Sequence, residues 1–349
     1  MREKVYNNTI QVMRALAVIM VVLQHSISRI ATTNFDYKVM YALNHIDVAV
    51  FFVIAGYLFE SKKEKYYSQK WTEYIVQKWK TLLIPYLFWS LILAVGIKVS
   101  SMVFPAVQNL FGTVWSWHEI LINTIFFRDY YVQHLWFIYI LFFFFVIHRI
   151  LKDYLTDKRT VFLVLLVSVV LNRFSFGFIL DKFILHFGTF LLGRIIFKYH
   201  FEEKNNIKSE NKLWNMGVSI FVIGVLGICF WSEYVYKNSF TYSYLGNLVY
   251  AMSGIYIVYL IAGIIGSIGG LFRAVMNEVG DYSFEIYLMH NPYVSVLAPL
   301  LLRKCWNQKE FVVVGSTVLG VLVPYFIAKI LMKSKWISQL LFGRKGRKK

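Results

Sequence analysis

Apolar runs close to twenty residues long, separated by short polar stretches, recur from one end of this 349-residue chain to the other. An α-helix of about 20 residues is roughly 30 Å long, the thickness of a bilayer's hydrocarbon core. The pattern predicts ten helical spans, over residues 9–30, 47–60, 81–103, 134–151, 160–180, 183–198, 213–231, 246–270, 282–302 and 311–332. The second is short and is expected to be tilted or broken. Only Asp181 and Lys182 separate the fifth from the sixth, and Arg173 falls inside the fifth. The longest polar stretches, 60–80 and 199–212, are loop-sized, so the expectation is one all-α integral membrane domain over 1–349, without a soluble domain.

The first span carries two polar groups that set the reading of the rest. Arg14 and His25 are eleven residues apart, about three turns, and therefore share one face of the helix. Along the axis they lie roughly 16 Å from each other. Ionisable groups inside a bilayer face a polar cavity or a partner, because lipid solvates them poorly. The plainer alternative is that each snorkels to its own interface; a shared polar interior face is the favoured expectation.

Composition agrees with the membrane reading. Hydrophobic residues make up 58% of the chain and charged residues 16%, against about 45–50% and 25% in soluble domains. Cys229 and Cys305 have no paired spacing, so neither a disulfide framework nor a thiolate metal site is expected. The net charge of +18 belongs to short loops between apolar segments, which argues for topology rather than for a nucleic-acid partner. With the N-terminus in the cytoplasm, cytoplasmic segments hold 24 of the 37 Lys and Arg residues. The positive-inside rule thus places both termini in the cytoplasm, with the tail GRKGRKK on the anionic leaflet surface. Arg14 then lies near the cytoplasmic face and His25 towards the outer one.

Within the cytoplasmic segment 61–80, Trp71, Tyr74, Ile75, Trp79 and Leu82 recur at helical spacing with Lys70, Lys78 and Lys80 between them. That is the pattern of a basic interfacial helix, serving either as an anchor or as a holder of a phosphate-bearing ligand. The external segment 104–133 is dense in aromatics, including Trp115, Trp117, Tyr130 and Tyr131. Headgroup contact and stacking on sugars both suit it.

No phosphate loop, dinucleotide fingerprint, HExxH or GxSxG is present. What stands out is a set of intramembrane polar groups: Arg14, Gln24, His25, His134, His148, His186, Arg194, Glu285, His290 and Lys329. Arg194 and Lys329 are expected to be snorkelling anchors, and His148 an interfacial residue of no special role. His290 falls roughly 12 Å into its span, with Tyr287 one turn earlier on the same face; a structural hydrogen bond and catalysis account for it equally. Glu285 at that depth needs a cation, and Arg14 is the expected partner. His25 is the leading acid–base candidate, because an imidazole titrates near neutrality and can take and return a hydroxyl proton. Arg14 can bind an anion or polarise a carbonyl.

Five stretches in order resemble the acyltransferase-3 family of bacterial multi-pass membrane acyltransferases. They are RALAVIMVVLQH (14–25), VAVFFVIAGYLF (48–59), KWKTLLIPYLFW (78–89), HLWFIYIL (134–141) and VGDYSFEIYLMHNPY (279–293). The chain departs from the family's usual residues at Gln11, where Asp is common, and at Ala55, where Ser is common. Lys78 and Lys80 stand where arginines are usual, supplying phosphate-binding charge without a bidentate fork.

The resemblance implies transfer of an acyl group, often acetyl, from cytoplasmic acyl-CoA to a hydroxyl of a surface polysaccharide or lipid-linked sugar, at the bacterial plasma membrane. Lys78, Lys80 and Arg14 are then expected on the CoA phosphates or the thioester carbonyl. His25 acts as general base or transient acyl carrier. Trp136 and Tyr57 shape the tunnel, and His134, His290 and Glu285 border the substrate. Some relatives carry an extra extracytoplasmic domain; none is expected after the tenth span here, which makes direct transfer the simpler scheme. The expected partners are acyl-CoA, the glycan acceptor and the bilayer, with a homodimer as an option, no metal and no nucleic acid. Two readings of the polar stripe stand beside this one: a transporter or flippase with His25 as proton relay, and a membrane scaffold that tolerates loss of Arg14 and His25.

Overall fold

The computed structural model describes residues 2–103, 116–126, 133–155, 157–171, 174, 176–202 and 244–344. Helices account for most of them, and no strand occurs among the described residues. In chain order the helices are α1 (Arg2–Ser28), α2 (Asn34–Glu60), α3 (Lys63–Ser68), α4 (Trp71–Lys78), α5 (Ile84–Val103), α6 (Trp117–Phe126), α7 (Trp136–Ile150), α8 (Lys158–Leu171), α9 (Phe178–Glu202), α10 (Tyr244–Ile268), α11 (Gly270–Asp281), α12 (Ser283–Met289), α13 (Ser295–Cys305), α14 (Lys309–Leu331) and α15 (Lys335–Phe342). Five helical segments are long and apolar enough to cross a membrane: Asn8–Ser28, Asn34–Glu60, Trp71–Val103, Asn247–Ile268 and Lys309–Leu331. The expected span over 213–231, Arg173 and most of the aromatic segment 104–133 lie outside the described residues.

Two elements differ from their sequence expectation. The second span begins at Asn34 rather than at residue 47. Asp36, Lys38, Asn44, His45 and Asp47 interrupt the apolar run there, yet they lie within one continuous helix. A capping box starts it: the Thr33 hydroxyl accepts from the Asp36 amide at 3.3 Å, and the Asp36 carboxylate accepts from the Thr33 amide at 2.9 Å. The ninth span is broken. α12 stops at Met289, a π-turn covers His290–Val294, and Asn291 has extended backbone angles (φ −129°, ψ 148°) before α13 resumes. Pro292 follows Asn291, and the residue before a proline is sterically disfavoured in the helical region.

α1 is the central strut, packed on α2, α10, α11 and α14. The tightest pairing is α2 with α9. A Cβ added at Gly56 would stand 1.9 Å from the Phe190 carbonyl oxygen, and one at Gly193 would stand 2.0 Å from that of Val53. Two glycines facing opposite ways therefore let the backbones touch, a common solution in membranes, where close van der Waals packing drives helix association. At the other end of the chain, α15 docks on the α4–α5 junction. Trp89 Nε1 donates to the Leu341 carbonyl at 2.9 Å, and Gly343 closes the helix in the left-handed region (φ +62°).

Candidate active site

His25 is half-buried on α1 and faces a cavity of about 480 Å³. Gln24 and Ser28 of the same helix and Arg29 just beyond it line the cavity, together with Asn44 and Asp47 of α2, Lys182 of α9, His134 just before α7, Trp136 at its start, and Tyr287 and Asn291 of the broken helix. The break is what brings His290 to this place. Its ring centroid is 5.1 Å from that of His25 and 5.5 Å from that of His134. His290 is fully buried, and its Nδ1–H donates to the Tyr287 carbonyl at 2.8 Å. That bond assigns the proton to Nδ1 in the neutral ring. The lone pair then sits on Nε2, a buried atom with no hydrogen-bond partner among the described residues.

Arg14 faces a second, smaller cavity of about 170 Å³, lined mainly by Phe51, Ile54, Leu58, Phe137 and Leu141. Its guanidinium donates to Gln11 Oε1 at 3.2 Å, one turn earlier. Tyr287 lines both cavities and is 4% exposed, so its ring is the partition between them. The Tyr287 hydroxyl donates to the His134 carbonyl, tying the broken helix to the start of α7. The face shared by Arg14 and His25 thus borders two cavities that have Tyr287 as a common lining residue.

The other candidate residues divide. Trp136 borders the His25 cavity, its ring stacked on His186 at 5.3 Å. Lys80 lines a third cavity of about 530 Å³ with Glu73, Thr81, Gln339 and Arg344. Lys78 points elsewhere: it is 6% exposed, with Nζ 3.8 Å from the Phe145 ring centroid and 4.1 Å from that of Tyr66. Lys78 ends α4 and Lys80 lies in the π-turn Trp79–Leu83 that follows, and the two side chains meet different surroundings. Tyr57 is buried edge-on against Phe197 at 4.7 Å, in the core and away from the three cavities. Glu285 is fully buried, and the cation it meets is Arg344, which also donates to the Asp281 carbonyl at 2.8 Å. The cation at Glu285 is thus an arginine from just beyond α15, where Arg14 was the expected partner.

Arg194 is not an interfacial anchor. It is buried and ion-paired to Glu60 at 2.7 Å, and its Nη1 donates to the Leu155 carbonyl at 2.8 Å. His148 is likewise fully buried, against Phe59. Lys329 does sit at the surface, beside Glu278 at 2.9 Å. Asp47, Asn44 and Lys182 were overlooked as site residues. Met40, Asn44, Asp47, Val48 and Phe51 follow helical spacing, a signal available once α2 is extended upstream to Thr33.

A helical, multi-pass membrane protein whose buried histidine cluster stands where two cavities meet is a class defined by this geometry. Within that class the assignment is specific: the acyltransferase-3 model, which describes an acyltransferase domain, matches residues 7–334, nearly the whole chain. The protein belongs to this family and is a membrane acyltransferase. No curated protein and no solved structure matches the chain.

Proposed function

We propose that the protein is an O-acyltransferase moving an acyl group, most simply acetyl, from acyl-CoA to a hydroxyl of a surface polysaccharide or lipid-linked sugar. The observation that carries this reading is the pair of cavities meeting at Tyr287, with Arg14 on one side and His25, His134 and His290 on the other. The positive-inside count puts the Arg14 side in the cytoplasm, where acyl-CoA is found, and the His25 side towards the exterior of a bacterial plasma membrane.

In this scheme Lys80 holds the CoA phosphates, and Arg14 polarises the thioester carbonyl. An imidazole, His25 in the first instance, takes the proton from the acceptor hydroxyl as its oxygen attacks the carbonyl carbon. The tetrahedral intermediate collapses by breaking the C–S bond, and the imidazolium returns the proton to the leaving thiolate. The products are an ester and free CoA. His290, with its lone pair on Nε2 and its ring 5.1 Å from that of His25, is the second base. Lys78, seated among Tyr66, Tyr74 and Phe145, acts as packing rather than as a donor ligand.

Sealed inverted and right-side-out membrane vesicles containing the protein test the scheme. Labelled acetyl-CoA added outside should label membrane glycan in inverted vesicles and not in right-side-out ones. Equal labelling from both faces, or none from either, contradicts it.

A further inference from the structure

The His25 cavity is lined by two charged groups that the reaction scheme does not use, one buried and one half-buried. Asp47 is 2% exposed, on α2. Its Oδ1 accepts from the adjacent Val48 amide, which leaves most of its acceptor capacity directed elsewhere. Lys182 lines the same cavity from α9. Asp47 and Asp181 both attract the Lys182 ammonium, and among the described residues Asp47 makes no ion pair with it. The Lys182 ammonium is held instead by aromatic faces, 5.3 Å from the Trp136 ring centroid and 5.9 Å from that of Phe178. Ring faces orient a cation without neutralising it. An ionisable group facing a cavity inside a membrane protein marks a ligand path more often than a scaffold. Arg29 on the rim adds a second positive charge against the single carboxylate.

We infer that this cavity is an acceptor site for a sugar bearing an anionic group, with Lys182 as the residue that takes the anion and Asp47 as the residue that takes a ring hydroxyl. The inference rests on the acyl-transfer reading for the identity of its ligand as acceptor. The binding chemistry is a carboxylate or phosphate oxygen on Lys182 Nζ. A uronate of the glycan or the pyrophosphate of a lipid-linked sugar supplies that chemistry equally. Asp47 opposite accepts hydrogen bonds from hydroxyls and repels a second anion, so the substrate has one defined orientation across the cavity. The amides of Asn44, Gln24 and Asn291 complete a polar lining suited to a polyhydroxylated ring.

The test uses the full chain in detergent, as wild type, Lys182→Met, Lys182→Arg and Asp47→Asn. Equilibrium dialysis measures binding of end-labelled glycans extracted from the native membrane. The pool is offered in three forms: untreated, carboxyl-reduced, and released from lipid pyrophosphate by mild acid. Wild type should bind the untreated pool and lose at least tenfold in affinity for one of the two treated forms, which identifies the anion's source. Lys182→Met should lose the same factor on the untreated pool and nothing further on the affected treated one, while Lys182→Arg keeps affinity within about threefold. Asp47→Asn should weaken every form. Wild type binding all three forms equally, Lys182→Met weakening all forms alike, or no wild-type binding of the untreated pool overturns the inference. Thiol release from acetyl-CoA by the same preparation, read separately, tests acyl transfer; binding that fails while thiol release persists sinks the acceptor site alone.

Discussion

Gly56→Ala puts the α2–α9 contact under a load that the structure lets one calculate. The added Cβ would be 1.9 Å from the Phe190 carbonyl oxygen, whereas ordinary contact begins at 3.4 Å. The obstacle is helical backbone, not a flexible side chain, so the two helices must separate by about 1.5 Å in a close-packed interior. Overpacking of this kind costs typically 1–3 kcal/mol, and backbone on backbone belongs at the upper end, about 3 kcal/mol. Gly193→Ala meets the Val53 carbonyl at 2.0 Å and should cost the same. One separation relieves both clashes, so the double variant should cost clearly less than the two single losses added together. Gly263→Ala on α10, where nothing lies within 4 Å, is the control and should be near neutral. Thermal unfolding in detergent micelles, followed by tryptophan fluorescence, reads all four. The same displacement moves Asp47 away from Lys182, so the single variants should also raise the KM for acceptor more than that for acyl-CoA. Single variants as stable as wild type, or strictly additive losses, would refute the reciprocal-contact argument.

Other expectations follow from individual contacts. Arg194→Met leaves the buried Glu60 with the half-exposed Lys63 at 2.7 Å and should destabilise by about 3 kcal/mol, the low end for a broken buried pair; Glu60→Gln/Arg194→Met together should recover much of that loss in the same unfolding assay. Lys80→Met should raise the KM for acyl-CoA several-fold, whereas Lys78→Met should leave that KM unchanged and affect stability instead; steady-state kinetics on both variants separates the roles. Tyr287→Phe removes the hydroxyl bound to the His134 carbonyl and should lower kcat with little change in the KM for acyl-CoA. If the KM rises instead, Tyr287 is a donor contact rather than the partition proposed.

Much of the frame was legible because membrane helices announce themselves by length and hydropathy. The 3.6-residue period also placed Arg14 and His25 on one face of α1. Lys78 and Lys80 meet different surroundings across a π-turn, a difference that residue type alone does not reveal. Two further features had local signals. The Thr33–Asp36 capping box marks the true start of α2, and Pro292 marks the break that turns His290 into the cluster. Others had none. That Glu60 meets Arg194 across 134 residues, and that Glu285 meets an arginine from just beyond α15, depends on how distant helices pack. Hydrophobic pattern alone also treated Asp181 and Lys182 as a loop. They are in the first turns of α9, where Asp181 accepts from the Phe176 amide at 2.9 Å and Lys182 turns into the cavity.

The central claim is that an imidazole at the junction of the two cavities moves the acceptor proton while acyl-CoA supplies the acyl group. Free-thiol release by the purified full chain in nanodiscs, given acetyl-CoA with and without membrane glycan extract, measures it directly for wild type and His25→Ala. The account predicts glycan-dependent release by wild type and its loss in a His25→Ala protein that still inserts and unfolds normally. Near-normal release by His25→Ala would contradict the assigned base, and no release by wild type with acetyl-, succinyl- or longer acyl-CoA would contradict the acyl-CoA scheme itself.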